Sequence, residues 1–215
     1  MGPSESVTSA LLPSLCFGWQ LCVSIPTNPS DPPLGMIHPW RDLAPGPHPP
    51  EEVTAVIEIP KGSRNKYELD KDSGLFKLDR VLYSAVHYPG DYGFIPRTLH
   101  EDNDPLDIIV RIDEPTFPGC QIQSRPIGVL KMLDRGEPDD KILAVPSHDP
   151  LHHEIYDIAD LPQHYLNEIE HFFQIYKDLE GKRMQIVGWE KSEVAMQVIM
   201  ESIARYTDKY LKEGP

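Results

Sequence analysis

The sequence predicts an α+β fold in which an antiparallel sheet closes as a β-barrel and two C-terminal helices pack against it. Short apolar, β-branched runs crowd residues 53–145, and no long helical pattern lies between them. Beyond residue 160, apolar residues instead recur at helical spacing in two stretches. Many short strands followed by helices are typical of this fold class.

The strand region is divided by recognisable turn signals. Asp72-Ser73-Gly74, Pro89-Gly90-Asp91 and Asp134-Arg135-Gly136 combine residues that favour turns. The runs predicted as strands are Val53–Ile59, Phe76–Leu82, Ile108–Ile112, Gln121–Met132 and Ile142–Val145.

The helical region predicts two helices separated by a strand. An apolar stripe runs through Leu161–Glu180 and is ended by Gly181. Met184–Gly188 predicts a short strand. The second helix is expected over Glu193–Leu211, with Ser192 as its N-cap.

The composition excludes some partners. The chain has 215 residues, which suits one compact domain, and it carries 34 acidic against 20 basic residues for a net charge of −14. Such a surface repels phosphate backbones and anionic membranes, so neither nucleic acid nor membrane is expected as a partner. If the substrate is itself a polyanion, divalent cations must stand between it and the protein.

The N-terminal segment, residues 1–37, is expected to be disordered or extended, ahead of a catalytic domain at 38–215. Residues 1–35 contain six prolines, and the first basic residue is Arg41. A secretory signal or transit peptide would need positive charge, and Met36 offers an internal start. The counter-observation is a set of apolar residues that could dock on the barrel or form an unusual targeting signal: Leu11, Leu12, Leu15, Phe17, Trp19 and Leu21.

The cysteines indicate a reducing compartment. Cys16 and Cys22 lie in the N-terminal segment and Cys120 lies in the body of the chain, so no disulfide framework or zinc spacing follows. A cytoplasmic location is therefore expected.

The sharpest chemical feature is Asp102-Asn103-Asp104-Pro105-Leu106-Asp107. Asp102 and Asp104 share a face if the backbone is extended, and Pro105 can turn Asp107 back to the same point. Three desolvated carboxylates repel one another unless a cation resolves the repulsion, and Mg²⁺ prefers oxygen ligands. A solvated acidic turn and a calcium loop remain alternatives.

A second acidic cluster follows the strand that ends at Met132. Asp134, Asp139 and Asp140 surround a turn next to Lys141. Taken by itself, this stretch is better explained as an ordinary polar hairpin loop. Two Asp-rich turns at neighbouring strand ends could also supply ligands to two or more ions.

Several charged or phenolic side chains interrupt otherwise apolar segments. Each has a structural alternative, namely salt bridges on a strand face or half-buried aromatic packing. These residues are Glu58, Lys66, Glu68, Arg80, Tyr88, Tyr92, Tyr176 and Lys177.

Six motifs together resemble family I soluble inorganic pyrophosphatases of the bacterial and plant type, in matching order from about His38 to Tyr210. The Asp-x-Asp-Pro-x-Asp element is the family signature. The motifs are Ile57–Pro60, Asn65–Asp70, Leu78–Leu82, Tyr88–Gly93, Asp102–Asp107 and Phe172–Asp178.

The resemblance implies a role for each matching position and an OB-like barrel. Asp104 would be the catalytic general base. Arg135 departs from the family pattern, in which an acidic or small residue is common, and could reduce affinity for a peripheral metal. The Mg²⁺ ligands would be Asp102, Asp107, Asp134 and Asp139; the substrate-binding residues Lys66, Arg80, Tyr92, Lys141, Tyr176 and Lys177; and the second shell or a further metal site Glu58, Glu68 and Tyr88.

The expected reaction is Mg²⁺-dependent hydrolysis of pyrophosphate to two phosphates by direct attack of water, in a homohexamer. The alternatives are a metal-dependent phosphatase acting on organic phosphates and a non-enzymatic barrel that binds an anion. Asp140 has no role under this resemblance, so Asp140→Ala is expected to have little effect.

Overall fold

The computed structural model describes residues 37–212, so the expectations for residues 1–36 lie outside it. Within 37–212 the chain forms nine strands and two α-helices, an α+β fold as predicted. The elements are β1 Val53–Ile59, β2 Asn65–Leu69, β3 Phe76–Val81, β4 Asp91–Phe94, β5 Asp107–Val110, β6 Gln121–Asp134, β7 Glu137–Pro138, β8 Lys141–Pro146, α1 Gln163–Ile175, β9 Met184–Lys191 and α2 Ser192–Tyr210.

Five strands pair in a ring. The order is β1-β4-β5-β8-β6, and β1 also pairs with β6, while β7 and β9 extend from β6. The prediction of antiparallel pairing throughout is wrong at one place, because β5 and β8 run parallel with Asp107 opposite Lys141. An odd number of strands cannot alternate in direction all the way round a ring, so at least one pair must be parallel.

The hairpin of β2 and β3 forms a separate two-stranded sheet. Glu58 on β1 fastens it, because its Oε1 accepts a hydrogen bond of 2.7 Å from the Leu69 amide. The start of the described chain also contacts the hairpin turn, because His38 Nε2 lies 3.0 Å from the Lys71 carbonyl oxygen. Trp40 is buried beside it and donates to the Thr98 carbonyl.

Each helix covers a different part of the core. Buried residues of α1, including Phe172 and Phe173, join the apolar cluster that contains Tyr88 and Leu130. Buried residues of α2 join the cluster that contains β1 and β5 side chains. Neither helix in the described part of the chain is long and apolar enough to cross a membrane.

Both helices differ from their predicted limits. α1 ends at Ile175 instead of continuing to Gly181, and Lys177, with φ −104° and ψ 1°, starts a separate 3₁₀ turn. α2 already begins at Ser192, whose side chain is not an N-cap. Asp157, which is distant in sequence, accepts hydrogen bonds from the Ser192 amide at 3.1 Å and from the Ser192 hydroxyl at 3.2 Å. This tertiary contact caps the start of α2 in place of the predicted Ser192 side chain.

Candidate active site

Twelve of the fourteen predicted site residues line one cleft of about 710 Å³. The sequence signals that predicted them are scattered over more than a hundred positions, and the ring of strands brings them together. The twelve are Glu58, Lys66, Glu68, Tyr92, Asp102, Asp104, Asp107, Asp134, Asp139, Lys141, Tyr176 and Lys177.

The cleft has two walls and a loop between them. The sheet wall consists of Tyr92, Asp107, Asp134, Asp139 and Lys141, which lie on or beside β4, β5, β6 and β8. The aspartate loop, residues 99–106, is the second part of the connection between β4 and β5. The hairpin wall faces them from β2, β3 and their turn, with Lys66, Glu68, Asp70, Lys71 and Lys77.

Lys141 is the centre of the sheet wall. Its ammonium lies 2.5 Å from Asp107 Oδ2 and also pairs with Asp139, and its side chain is only 2% exposed. Burial disfavours the charged lysine, but Asp107 and Asp139 more than compensate and raise the pKa of Lys141. Burial likewise opposes ionisation of Asp139, yet Lys141 holds the pKa of Asp139 below its ordinary value.

Tyr92 completes this cluster by donating its hydroxyl proton to Asp107 Oδ2. Burial is the main cause that raises the pKa of Tyr92 well above the ordinary value for a phenol. Burial also raises the pKa of Asp107, against the lowering effect of Lys141. Tyr92 therefore remains a neutral hydrogen-bond donor at the floor of the cleft.

The aspartate loop turns instead of running extended. Asn103 has a φ of 67°, in the left-handed region that asparagine tolerates, so the condition of an extended backbone between Asp102 and Asp104 is not met. The Asp104 amide donates to Asp102 Oδ1 at 3.0 Å. Both carboxylates still line the cleft with Asp107, and burial raises the pKa of Asp102 to about 6.

Lys71 is a site residue that sequence reasoning missed. Its ammonium pairs with Asp104 and thereby joins the hairpin turn to the aspartate loop across the cleft. Asp70, Asp72 and Lys77 of the same hairpin also line the cleft. Their signal was the Asp70-Lys71-Asp72 turn directly after a recognised motif, but charged residues in a hairpin turn are ordinary on any surface.

The C-terminal end of α1 supplies the next part of the cleft. Lys177 Nζ lies 2.9 Å from Asp134 Oδ2, and the Tyr176 ring is buried beneath it. Asp134 Oδ1 is buried and has no hydrogen-bond partner in the described structure. A buried carboxylate oxygen without a donor is a position at which a bound cation would be stabilising.

Two predicted residues stand outside the cleft lining. Arg80 pairs with Asp79 and, through Nε at 2.9 Å, with Glu180. Tyr88 is buried between aromatic rings, 5.3 Å from the Tyr92 centroid and 4.8 Å from that of Phe172. Tyr88 thus supports Tyr92 from behind instead of facing the cleft.

Asp140, to which the resemblance gives no role, is a buried residue with a charged partner. Its side chain is 6% exposed and lies 2.6 Å from Lys131 Nζ, and its amide contacts His100 Nε2 at 3.3 Å. Removing a buried carboxylate that has such a partner is destabilising. The expectation that Asp140→Ala has little effect on turnover stays a prediction, but this burial predicts a loss of stability, so the variant is a poor control.

The donor set fits a hard divalent cation. It consists of carboxylate oxygens, the ligands that Mg²⁺ prefers, and includes the unpaired Asp134 Oδ1. Within residues 37–212 no three His, Cys, Asp or Glu side chains already surround a common point. In this structure three lysines, Lys71, Lys141 and Lys177, pair with the carboxylates of Asp104, Asp107, Asp139 and Asp134.

The fold and this cleft define a class: an α+β protein whose acidic cleft also presents cationic groups, an arrangement suited to phosphate chemistry assisted by divalent metals. A sequence model described as "Inorganic pyrophosphatase" matches residues 55–207. The chain belongs to the inorganic pyrophosphatase family, as its motifs implied.

Individual relatives agree with this assignment. The inorganic pyrophosphatase of Geobacillus stearothermophilus is 57% identical over 73% of this chain and 95% of the relative. That of Haloferax volcanii is 48% identical over 81% of this chain and 99% of the relative. The crystal structure of the Thermus thermophilus inorganic pyrophosphatase superposes with a TM-score of 0.76 at 44% identity, covering 79% of this chain and 99% of that one.

Proposed function

We propose that the chain hydrolyses inorganic pyrophosphate to two phosphates by direct attack of water, with several Mg²⁺ ions in the cleft. The observation that carries the proposal is the charge of the cleft. Among the described residues, ten carboxylates and six cationic side chains line it. Such a cleft repels a free polyanion, but it suits a polyanion bound together with divalent cations.

The proposed Mg²⁺ ligands are Asp102, Asp107, Asp134 and Asp139. When bound, the ions would lower the pKa of a coordinated water and polarise the phosphoryl oxygens. Glu68 pairs with Lys66, and Glu58 fastens the hairpin. Both line the cleft and are proposed to support the ligands or to hold a further metal. Burial raises the pKa of Glu58 to about 8, consistent with such a supporting position.

Asp104 is the proposed general base. Its side chain is 58% exposed and lies on the aspartate loop, so it can reach a water inside the cleft without breaking the fold. Lys71 pairs with its Oδ1, so the proton would be accepted by Oδ2. General-base catalysis by a positioned carboxylate typically contributes ~10²–10⁴-fold.

The cations and phenols of the cleft are proposed to bind the phosphate oxygens. Ammonium groups act as point charges, and an Arg fork can make paired hydrogen bonds. Arg80 pairs with Glu180 through Nε and with Asp79 through Nη1, so its Nη2 is the nitrogen proposed to meet the substrate. The proposed set is Lys66, Arg80, Tyr92, Lys141, Tyr176 and Lys177.

A phosphate-release assay tests this function against its alternatives. Pyrophosphate, ATP and a phosphomonoester are compared with and without Mg²⁺. Of the three substrates, we expect only pyrophosphate to release phosphate, and only when Mg²⁺ is present. Comparable release from the monoester would support an organic phosphatase, and no release from any of them would support a non-enzymatic anion-binding barrel.

The finer description of the molecule belongs to the same proposal. The ring of paired strands supports a closed, OB-like barrel. Exposed apolar side chains on and just after the hairpin, among them Leu78 and Tyr83, suit burial in a homohexamer, and sedimentation velocity would give its mass. A cytoplasmic location follows from the cysteine pattern and is tested by cell fractionation.

We also propose that residues 38–215 form the catalytic domain. Residues 1–35 carry six prolines and precede the first motif. A chain that starts at Met36 should match the full chain in turnover and melting temperature. A truncated chain that is insoluble, or melts several degrees lower, would show that the N-terminal segment belongs to the fold.

A further inference from the structure

The last turns of α2 hold the aspartate loop from outside the cleft. The Leu99 amide donates to the Ser202 carbonyl at 2.9 Å. Arg205 Nη1 lies 3.4 Å from the Leu99 carbonyl and 3.3 Å from Ser202 Oγ, and its Nη2 lies 3.2 Å from Glu101 Oε1. One guanidinium thus joins the helix to both the backbone and a side chain of the loop.

A second cation of α2 contacts the turn itself. Lys209 Nζ lies 3.0 Å from Asn103 Oδ1. Asn103 is the residue with a positive φ, and it separates Asp102 from Asp104. Its backbone conformation therefore sets the direction of one carboxylate relative to the other.

These helix residues have no direct access to a ligand in the cleft. Neither Arg205 nor Lys209 is among the residues that line it. Any effect of these side chains on the cleft must therefore pass through the loop or through their charge.

We propose that Arg205, assisted by Lys209, is a positioning residue that fixes the aspartate loop for divalent-metal binding. This rests on the proposed function, in which Asp102 binds Mg²⁺. A loop that is ordered before the ion arrives loses less conformational freedom on binding, so it binds the ion with higher affinity. Groups that orient metal ligands typically contribute ~10–100-fold to metal affinity.

Charge and position make opposite predictions for Arg205→Met. Removing a positive charge beside an acidic loop should strengthen cation binding by Coulomb attraction alone. Removing a side chain that supports the loop should instead weaken cation binding. The sign of the change therefore separates positioning from electrostatics.

The experiment is a calorimetric titration of the full chain with Mn²⁺, without substrate. Arg205→Met should raise the Kd about 10-fold. Arg205→Lys keeps the charge but loses the fork, and should give an intermediate Kd. Lys209→Met should raise the Kd about 3-fold, as expected for one exposed contact.

Arg183→Met is the matched control, because it makes the same chemical change at an exposed position outside the cleft lining. Its Kd for Mn²⁺ should stay within about twofold of wild type, as is usual for surface changes. The KM for pyrophosphate at saturating metal should be unchanged in Arg205→Met, because the helix does not touch substrate.

An unchanged or lower Kd in a folded Arg205→Met chain overturns the inference. If that variant does not fold, Lys209→Met decides, and an unchanged Kd there overturns it. A wild-type chain that binds no Mn²⁺ would instead refute the proposed function on which the inference rests.

Discussion

The sheet wall and the hairpin wall both combine carboxylates with lysines but expose these lysines differently. On the sheet wall Lys141 is 2% exposed and pairs with two aspartates. On the hairpin wall the side chains of Lys71 and Lys77 are 42% and 57% exposed. Because solvent screens exposed pairs and burial strengthens hidden ones, the sheet wall should be rigidly ordered and the hairpin wall able to adjust.

The largest effect is expected on the sheet wall, from Asp107→Ala. It removes a proposed metal ligand, worth several kcal/mol, so turnover should fall by about 10³-fold even at saturating Mg²⁺. It also leaves Lys141 with one partner, so the free energy of unfolding should fall by about 3 kcal/mol. A Mg²⁺ titration of turnover and a denaturant titration check the two effects.

Asp208→Ala is the control, because this carboxylate is exposed on α2 and pairs with Lys212. It should change neither quantity appreciably. If Asp107→Ala behaved like Asp208→Ala, the buried cluster would have no special function and the contrast between the walls would fail.

Asp104→Asn tests the aspartate loop, which lies between the two walls and pairs with Lys71 of the hairpin turn. It should lower kcat by about 10²-fold, the lower end of general-base contributions. The melting temperature should hardly change, because the side chain is 58% exposed. Stopped-flow phosphate release measures kcat, and calorimetry measures the melting temperature. Activity within about twofold of wild type would show that Asp104 is not the general base.

A smaller effect is expected on the hairpin wall, from Lys66→Met. Loss of one charge-assisted contact to phosphate, worth about 1.5 kcal/mol, should raise KM about 10-fold with little change in stability. Lys77→Met in the same hairpin is the comparison, because that side chain is more exposed. Equal effects on KM would mean that overall charge, and not the position of Lys66, determines binding.

The smallest effect is expected far from both walls, at Asp157. Partial burial opposes its ionisation, but the N–H groups of Ala159 and Ser192 hold the pKa of Asp157 below its ordinary value. A lowered folded-state pKa means that this stabilisation is present above about pH 4 and is lost as pH falls through the folded value. Asp157→Ala should therefore cost about 1 kcal/mol at pH 7.

Denaturant titrations of Asp157→Ala and wild type at pH 7 and at pH 3 give this difference. The two chains should approach each other at the lower pH. A difference that stays constant with pH would show that Asp157 acts through shape and not through its charge.

The motifs predicted which residues meet in the cleft better than they predicted the contacts among them. Asp102, Asp107, Asp134 and Asp139 were all expected in one site, and all line it. The ion pair between Lys71 and Asp104 could not be predicted, because it joins two turns separated by 33 positions. Pairs of this kind depend on where the strand ring places each turn.

Local sequence determined the element types for a physical reason. β1 has the predicted limits, Val53–Ile59, because its run of β-branched and apolar residues fits the pleated, buried surface of a sheet. The short strand β4, Asp91–Phe94, was missed because it follows a Pro-Gly turn and pairs on both sides. Its strand structure comes from its neighbours.

The sequence by itself determined that this chain folds as strands followed by helices and carries the residues of an inorganic pyrophosphatase. Only the tertiary structure decided that β5 and β8 run parallel, that Asp157 caps α2 and that Asp140 is buried. Propensity and motif depend on neighbours in the chain, whereas these features depend on groups far apart in sequence. Closing the ring of strands brings such groups into contact, and burial then makes their pairing necessary.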